Sequence, residues 1–112
     1  MKSRVPRAND NSMNEMVKRF QRAQQQIQQK SEEIEQMKFT CSSGGGAVTV
    51  VISGEKMLES ISINPEVVDS DDVEMLQDLI MRAVNEGLRQ VDDLMEIEMG
   101  RITNGIPMPG IR

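Results

Sequence analysis

A chain of 112 residues with ten Met, two Phe, no Trp and no Tyr has room for one modest domain, and a core leaning on Met fixes its shape poorly. With no His and one Cys it lacks the base of a Ser-His-Asp or Cys-His nucleophile, the ligands of a zinc site and the second thiol of an intrachain disulfide, which points to a non-enzymatic protein of a reducing cytosol with no cofactor. The formal charge of −5 is uneven: residues 1–40 hold eight Lys or Arg against five Asp or Glu, a balance of +3, and residues 41–112 hold five against thirteen, a balance of −8.

An anionic partner is therefore expected at the N-terminal part. Residues 1–11 (MKSRVPRANDN) are polar, contain Pro and show no periodicity, and they read as a flexible basic arm carrying Lys2, Arg4 and Arg7. They hold no hydrophobic signal region, and no apolar stretch of the chain is long enough to span a membrane.

Ser12 with Glu15 three residues on reads as a capping box. Beyond it Met13, Met16, Phe20, Ala23, Ile27, Ile34 and Met37 recur in steps of three and four, broken by Lys30. This heptad pattern predicts a long amphipathic helix, a rod of roughly 40 Å at 1.5 Å per residue. A compact domain of this size has a radius of gyration near 13 Å, so the rod must overhang its own core. An overhanging apolar seam needs a second chain, and Met13, Met16, Phe20, Ala23, Ile27 and Ile34 are expected to form a homodimer seam.

The period then becomes two. Phe39 and Cys41 flank Thr40 in a short strand, and Gly44-Gly45-Gly46 follows as a hairpin turn; no Lys-Ser/Thr pair or helix follows it, as a phosphate-binding loop requires. AVTVVIS (47–53), Gly54-Glu55 and MLESISIN (57–64) complete an antiparallel meander of three strands, with Val48, Val50, Ile52, Ile61 and Ile63 on apolar faces. Cys41, with no basic neighbour within two positions, reads as a buried, inert thiol.

Asp71 with Glu74 predicts the start of a second helix. The Asp69, Asp71 and Asp72 run lacks calcium-loop spacing and is read as helix capping. A broad stripe from Leu76 through Ala83, Gly87 and Val91 to Met95 carries this helix to about Met99. Asp92, Asp93, Glu96 and Glu98 lie outside the stripe as a solvated face. From Gly100 a Pro/Gly-rich tail is expected to be extended. The order is α-β-β-β-α, an α+β fold, with a dimerising domain over 12–99 and a tail over 100–112.

Lys18, Arg19 and Arg22 stand close together near the start of the first helix, where they can flank the seam, with Lys2, Arg4 and Arg7 upstream. A dimer doubles this cluster and sets two basic helix ends at a fixed separation, an arrangement suited to gripping phosphates. With no aromatic platform for stacking, duplex DNA is favoured over single strands. The polar face QRAQQQIQQK (21–30) could read adenine edges only if the helix lay in a major groove.

The Gly44–Gly46 turn, the Val-rich strand, Gly54, Ile61-Ser62-Ile63-Asn64-Pro65, Asp72, Leu76-Gln77-Asp78-Leu79 and Ala83-Val84-Asn85 form a long, specific string. In that order, after a Met/Gln-rich first helix, they resemble the bacterial YbaB/EbfC nucleoid-associated proteins over roughly residues 13–99. The resemblance implies a tweezer-like homodimer in the cytoplasm, on the nucleoid. Such a dimer binds duplex DNA with little sequence preference, through its helical arms, and alters DNA conformation, nucleoid organisation and gene expression. It implies no small-molecule substrate. By position, it places DNA contact at Lys18, Arg19 and Arg22. Residues 1–11 are longer and more basic than the family's usual start, and Gly87 stands where the family commonly has Ala. A competing reading is a protein-interaction module using the acidic second helix and the Met-rich seam, for example with replication or repair machinery.

Overall fold

The structure, a computed structural model, describes residues 7–104, with side chains from Ser12 onward. The element order is α1 (Arg7–Glu35), β1 (Lys38–Ser43), β2 (Val48–Ser53), β3 (Leu58–Ile63), a short 3-10 turn (Pro65–Val67) and α2 (Val73–Thr103). This is the expected α-β-β-β-α fold. Side chains of the expected basic arm (Lys2, Arg4, Arg7) and the tail beyond Asn104 lie outside the described residues.

The strands form one antiparallel sheet in the order β1-β2-β3. Cys41 pairs with Val50 and Phe39 with Ile52, while across β2 Ile61 pairs with Val50 and Ile63 with Val48. Alternation therefore puts all of these on one face. Gly44, Gly45 and Gly46 have φ of +62°, +67° and +95°, three successive left-handed residues that only glycine supplies cheaply. Opposite, the second turn is closed by Ser53, whose buried hydroxyl accepts the N–H groups of Glu55 and Met57 at 3.2 and 3.3 Å.

α2 lies on the apolar face. Ala83, Gly87 and Val91 are its buried positions, at steps of four. With Cys41, Val48, Val50 and Ile52 they make the core, flanked by Phe39, Leu76, Leu79, Ile80, Val84 and Leu88. The Ser43 hydroxyl ties β1 to the helix by donating to the Leu79 carbonyl at 2.6 Å. The helix covers β1 and β2 and leaves β3 open: Leu58 and Ile61 stay 45% and 42% exposed.

Four boundaries differ from the sequence expectation. α1 starts at Arg7, so Ser12 is inside the helix and caps nothing; after Pro6 no residue before Ser12 obstructs a helical backbone. α1 also stops at Glu35, so Met37, the last member of the heptad series, lies past its end. The α2 cap is Asp72, whose carboxylate accepts the Met75 N–H at 3.2 Å, while the Asp71 N–H is held by Asp69 at 2.9 Å. At its far end α2 runs through Gly100 to Thr103, where an extended tail was expected; Gly100 is tolerated in a helix at modest cost.

Candidate nucleic-acid interface

α1 and α2 run antiparallel. Ser31 Oγ reaches Met95 Sδ at 3.9 Å, Lys30 Nζ reaches Glu98 at 4.0 Å, and a groove farther along is lined by Gln26, Gln29, Arg101 and Ile102. This register puts the end of α2 beside residues 24–26 of α1. Residues 7–22 project past it, about 24 Å of helix at 1.5 Å per residue. The molecule measures 90 × 26 × 17 Å with a radius of gyration of 23.2 Å, far above the value near 13 Å for a compact chain. The overhang expected from helix length is thus present within one chain.

The apolar stripe of α1 divides where α2 ends. Ala23 is buried, Ile34 is completely buried and Ile27 is half-buried, all within the one chain. These expected seam residues are taken up by the chain's own packing. Met13, Met16, Val17 and Phe20 remain exposed on the projecting arm.

At 3.6 residues per turn, Lys18 falls on the side of α1 opposite Ala23, Ile27 and Ile34, and Arg22 about a third of a turn away from them. They do not flank the apolar stripe; Arg19 alone sits at its border. The cause is spacing: position 18 is about half a turn, and position 22 roughly a third of a turn or more, out of phase with 20, 23 and 27, which a linear reading of neighbours conceals.

The ion pairs separate this cluster from the other described cations. Lys30 binds Glu33 and Glu98, Lys38 binds Glu59, and Lys56 binds Asp92. Arg82 binds Asp78, Arg89 binds Glu86 and Asp93, and Arg101 binds Glu98. The hydrogen bonds from Arg89 hold the Glu86 carboxyl below the usual carboxylate range and the Arg89 guanidinium above its own. Lys18, Arg19 and Arg22 have no carboxylate partner among the described residues. Residues 16–31 of α1 contain no Asp or Glu at all. A phosphate approaching the arm meets cations that need not first give up a partner, whereas on α2 each cation is already neutralised.

Cys41 is buried against α2, and burial, with the Glu86 carboxylate adding to it, pushes the thiol up against the opposing effect of Arg89. Asp69 and Asp72 spend carboxylate oxygens on backbone N–H groups. Asp92, Asp93 and Glu98 are paired with Lys or Arg. No helix is long and apolar enough to cross a membrane among the described residues.

The chain belongs to the YbaB/EbfC DNA-binding family, whose model matches residues 10–106. It is 47% identical over 100 residues to a nucleoid-associated protein of Alkaliphilus metalliredigens, covering 89% of this chain and 88% of that one. A nucleoid-associated protein of Clostridium acetobutylicum is 44% identical over 110 residues, 98% of both chains. A crystal structure of an uncharacterized Helicobacter pylori protein superposes with a TM-score of 0.58 at 26% identity, covering 69% of this chain and 89% of that one.

Proposed function

We propose that this protein binds duplex DNA as a homodimer with little sequence preference. Its grip lies on the α1 arm, at Lys18, Arg19 and Arg22, helped by Lys2, Arg4 and Arg7. The observation that carries the placement is the lack of carboxylate partners for those three described cations on an arm that projects clear of the acidic α2. Contacts to phosphates from two arms at a fixed separation alter DNA conformation, and through it nucleoid organisation and gene expression, in the cytoplasm and without catalysis. The nucleoid-associated relatives support this reading, and no observation favours the protein-interaction alternative. The second copy is supported by the apolar surface that one chain leaves open, at Leu58 and Ile61 of β3 and at Met13, Met16 and Phe20 of the arm.

The test is a salt titration of binding to two unrelated duplexes. About six phosphate contacts give a log–log slope near −5, and each lost contact flattens it by about 0.9. Lys18→Ala with Arg19→Ala and Arg22→Ala is expected to weaken binding equally on both duplexes and to flatten the slope. A triple variant with wild-type affinity and slope would place the grip elsewhere.

A further inference from the structure

The face of α1 opposite its packing stripe carries more than cations. At 3.6 residues per turn, Gln25 stands directly opposite the buried stripe of Ala23, Ile27 and Ile34. Lys18 and Gln29 lie above and below it on the same ridge, with Gln21 to one side and Arg22 to the other. All five are exposed, and no carboxylate occurs from Met16 to Ser31. The ridge is therefore a row of amides bracketed by cations without carboxylate partners, turned away from the apolar stripe of α1; the stripe is buried from Ala23 onward, and Gln29 borders the groove between α1 and α2.

From this placement we infer that α1 enters the major groove of the duplex and that Gln21 and Gln25 contact adenine edges there. This rests on the duplex-DNA reading above and adds specificity-determining residues to it. A helix with its side chains is about 10–12 Å across and the major groove about 12 Å wide, so the free face of α1 fits. Phosphate walls flank the groove on both sides, which suits cations set beside and before the central amide. A Gln side chain offers one donor and one acceptor in a plane, the complement of adenine N7 and N6–H. Glutamate at these positions would be repelled and serine would not reach. Only two side chains per arm sit where base edges would be, so the preference is modest and superimposed on a phosphate grip that is otherwise blind to sequence.

The test compares duplexes of equal length and sequence in which adenine is or is not replaced by 7-deazaadenine. That base keeps its pairing and its minor-groove edge and loses only the major-groove N7 acceptor. The wild type is expected to bind the modified duplex about tenfold more weakly. The Gln21→Ala/Gln25→Ala variant should bind both duplexes alike, at the affinity the wild type has for the modified one. Both sites are exposed helix positions where Ala is a better helix former, so folding is not at risk. Lys18→Ala/Arg22→Ala should lower affinity for both duplexes while keeping the ratio between them. Equal wild-type affinity for the two duplexes, or a ratio unchanged by the Gln substitutions, overturns the inference and leaves the phosphate grip intact. Failure of the wild type to bind either duplex overturns the DNA-binding reading itself.

Discussion

A methyl group on Gly87 would sit 2.6 Å from Ile52 Cδ1 and 3.3 Å from Cγ1, and Ile52 is completely buried. The glycine is therefore a packing choice that brings α2 down onto β2. Gly87→Ala gains about 1 kcal/mol of helix propensity but overpacks a site whose neighbour has nowhere to move, at a cost of about 1–3 kcal/mol. Net destabilisation is expected in urea melts. Ile52→Val removes the clashing Cδ1, so Gly87→Ala should stabilise an Ile52→Val background; equal effects in both backgrounds would refute the contact. At Cys41 the thiol is raised by burial. A raised folded value means that the contribution to stability is complete below the unfolded value near 8.5 and is lost as pH climbs through the folded one. The melting temperature of the wild type should consequently fall more steeply above that pH than that of Cys41→Ala. Below it, thiol reagents should react at the rate of unfolding. The inert thiol was legible in sequence from its apolar strand and its lack of basic neighbours. The fit of Gly87 against Ile52 was not, because it joins residues 35 apart in the chain.

Helices and strands announced themselves through period, and their ends did not. Asp71 and Asp72 offer equivalent caps by type, and the choice between them is made by Asp69, which accepts the Asp71 N–H from its side chain and the Asp72 N–H from its carbonyl, both at 2.9 Å. Asp72→Ala is expected to lower stability by about 1 kcal/mol, and Asp71→Ala by much less. Matched losses in thermal unfolding would mean that the cap is shared. The junction of α1 with the sheet is more exacting. A Cβ on Gly54 would fall 1.7 Å from the Ile34 carbonyl oxygen, and the Gly54 N–H donates to the Met37 carbonyl at 3.0 Å. Both clashing groups are backbone, so no rotamer change relieves them. Gly54→Ala should cost about 3 kcal/mol or more, read as a lower urea midpoint. An unchanged midpoint would show that the α1–turn junction yields easily. In the sequence Gly54 is one glycine of a hairpin, and nothing local reveals that a helix end rests on it.

At the scale of the molecule, length alone foretold that α1 would outrun its core, but not which apolar surface would stay open. That depends on where α2 lands. By settling on β1 and β2 it buries Val48, Val50 and Ile52 and leaves Leu58 and Ile61, on the same face, half in water. Ala23 and Ile34 are buried within the chain too, so the exposed members of the heptad series are Met13, Met16 and Phe20 at the projecting end and Met37 past the end of α1. Of the two open surfaces, the β3 side is the better base for a two-fold contact. An antiparallel edge strand is self-complementary, and Ile61 near the strand centre would meet its own copy close to the axis, extending a core that already exists. The arm surface is one face of a single helix that runs on for about 24 Å past the end of α2, supported on one side only, and the cations behind it repel a second arm. Leu58→Asp with Ile61→Asp is therefore expected to halve the mass in sedimentation while leaving the helical signal of the chain intact, since neither side chain is buried within it. Met16→Asp with Phe20→Asp should leave the mass at that of the dimer. The opposite pair of outcomes would return the dimer contact to the arms, and with it would bring the two Lys18, Arg19 and Arg22 clusters side by side instead of holding them apart.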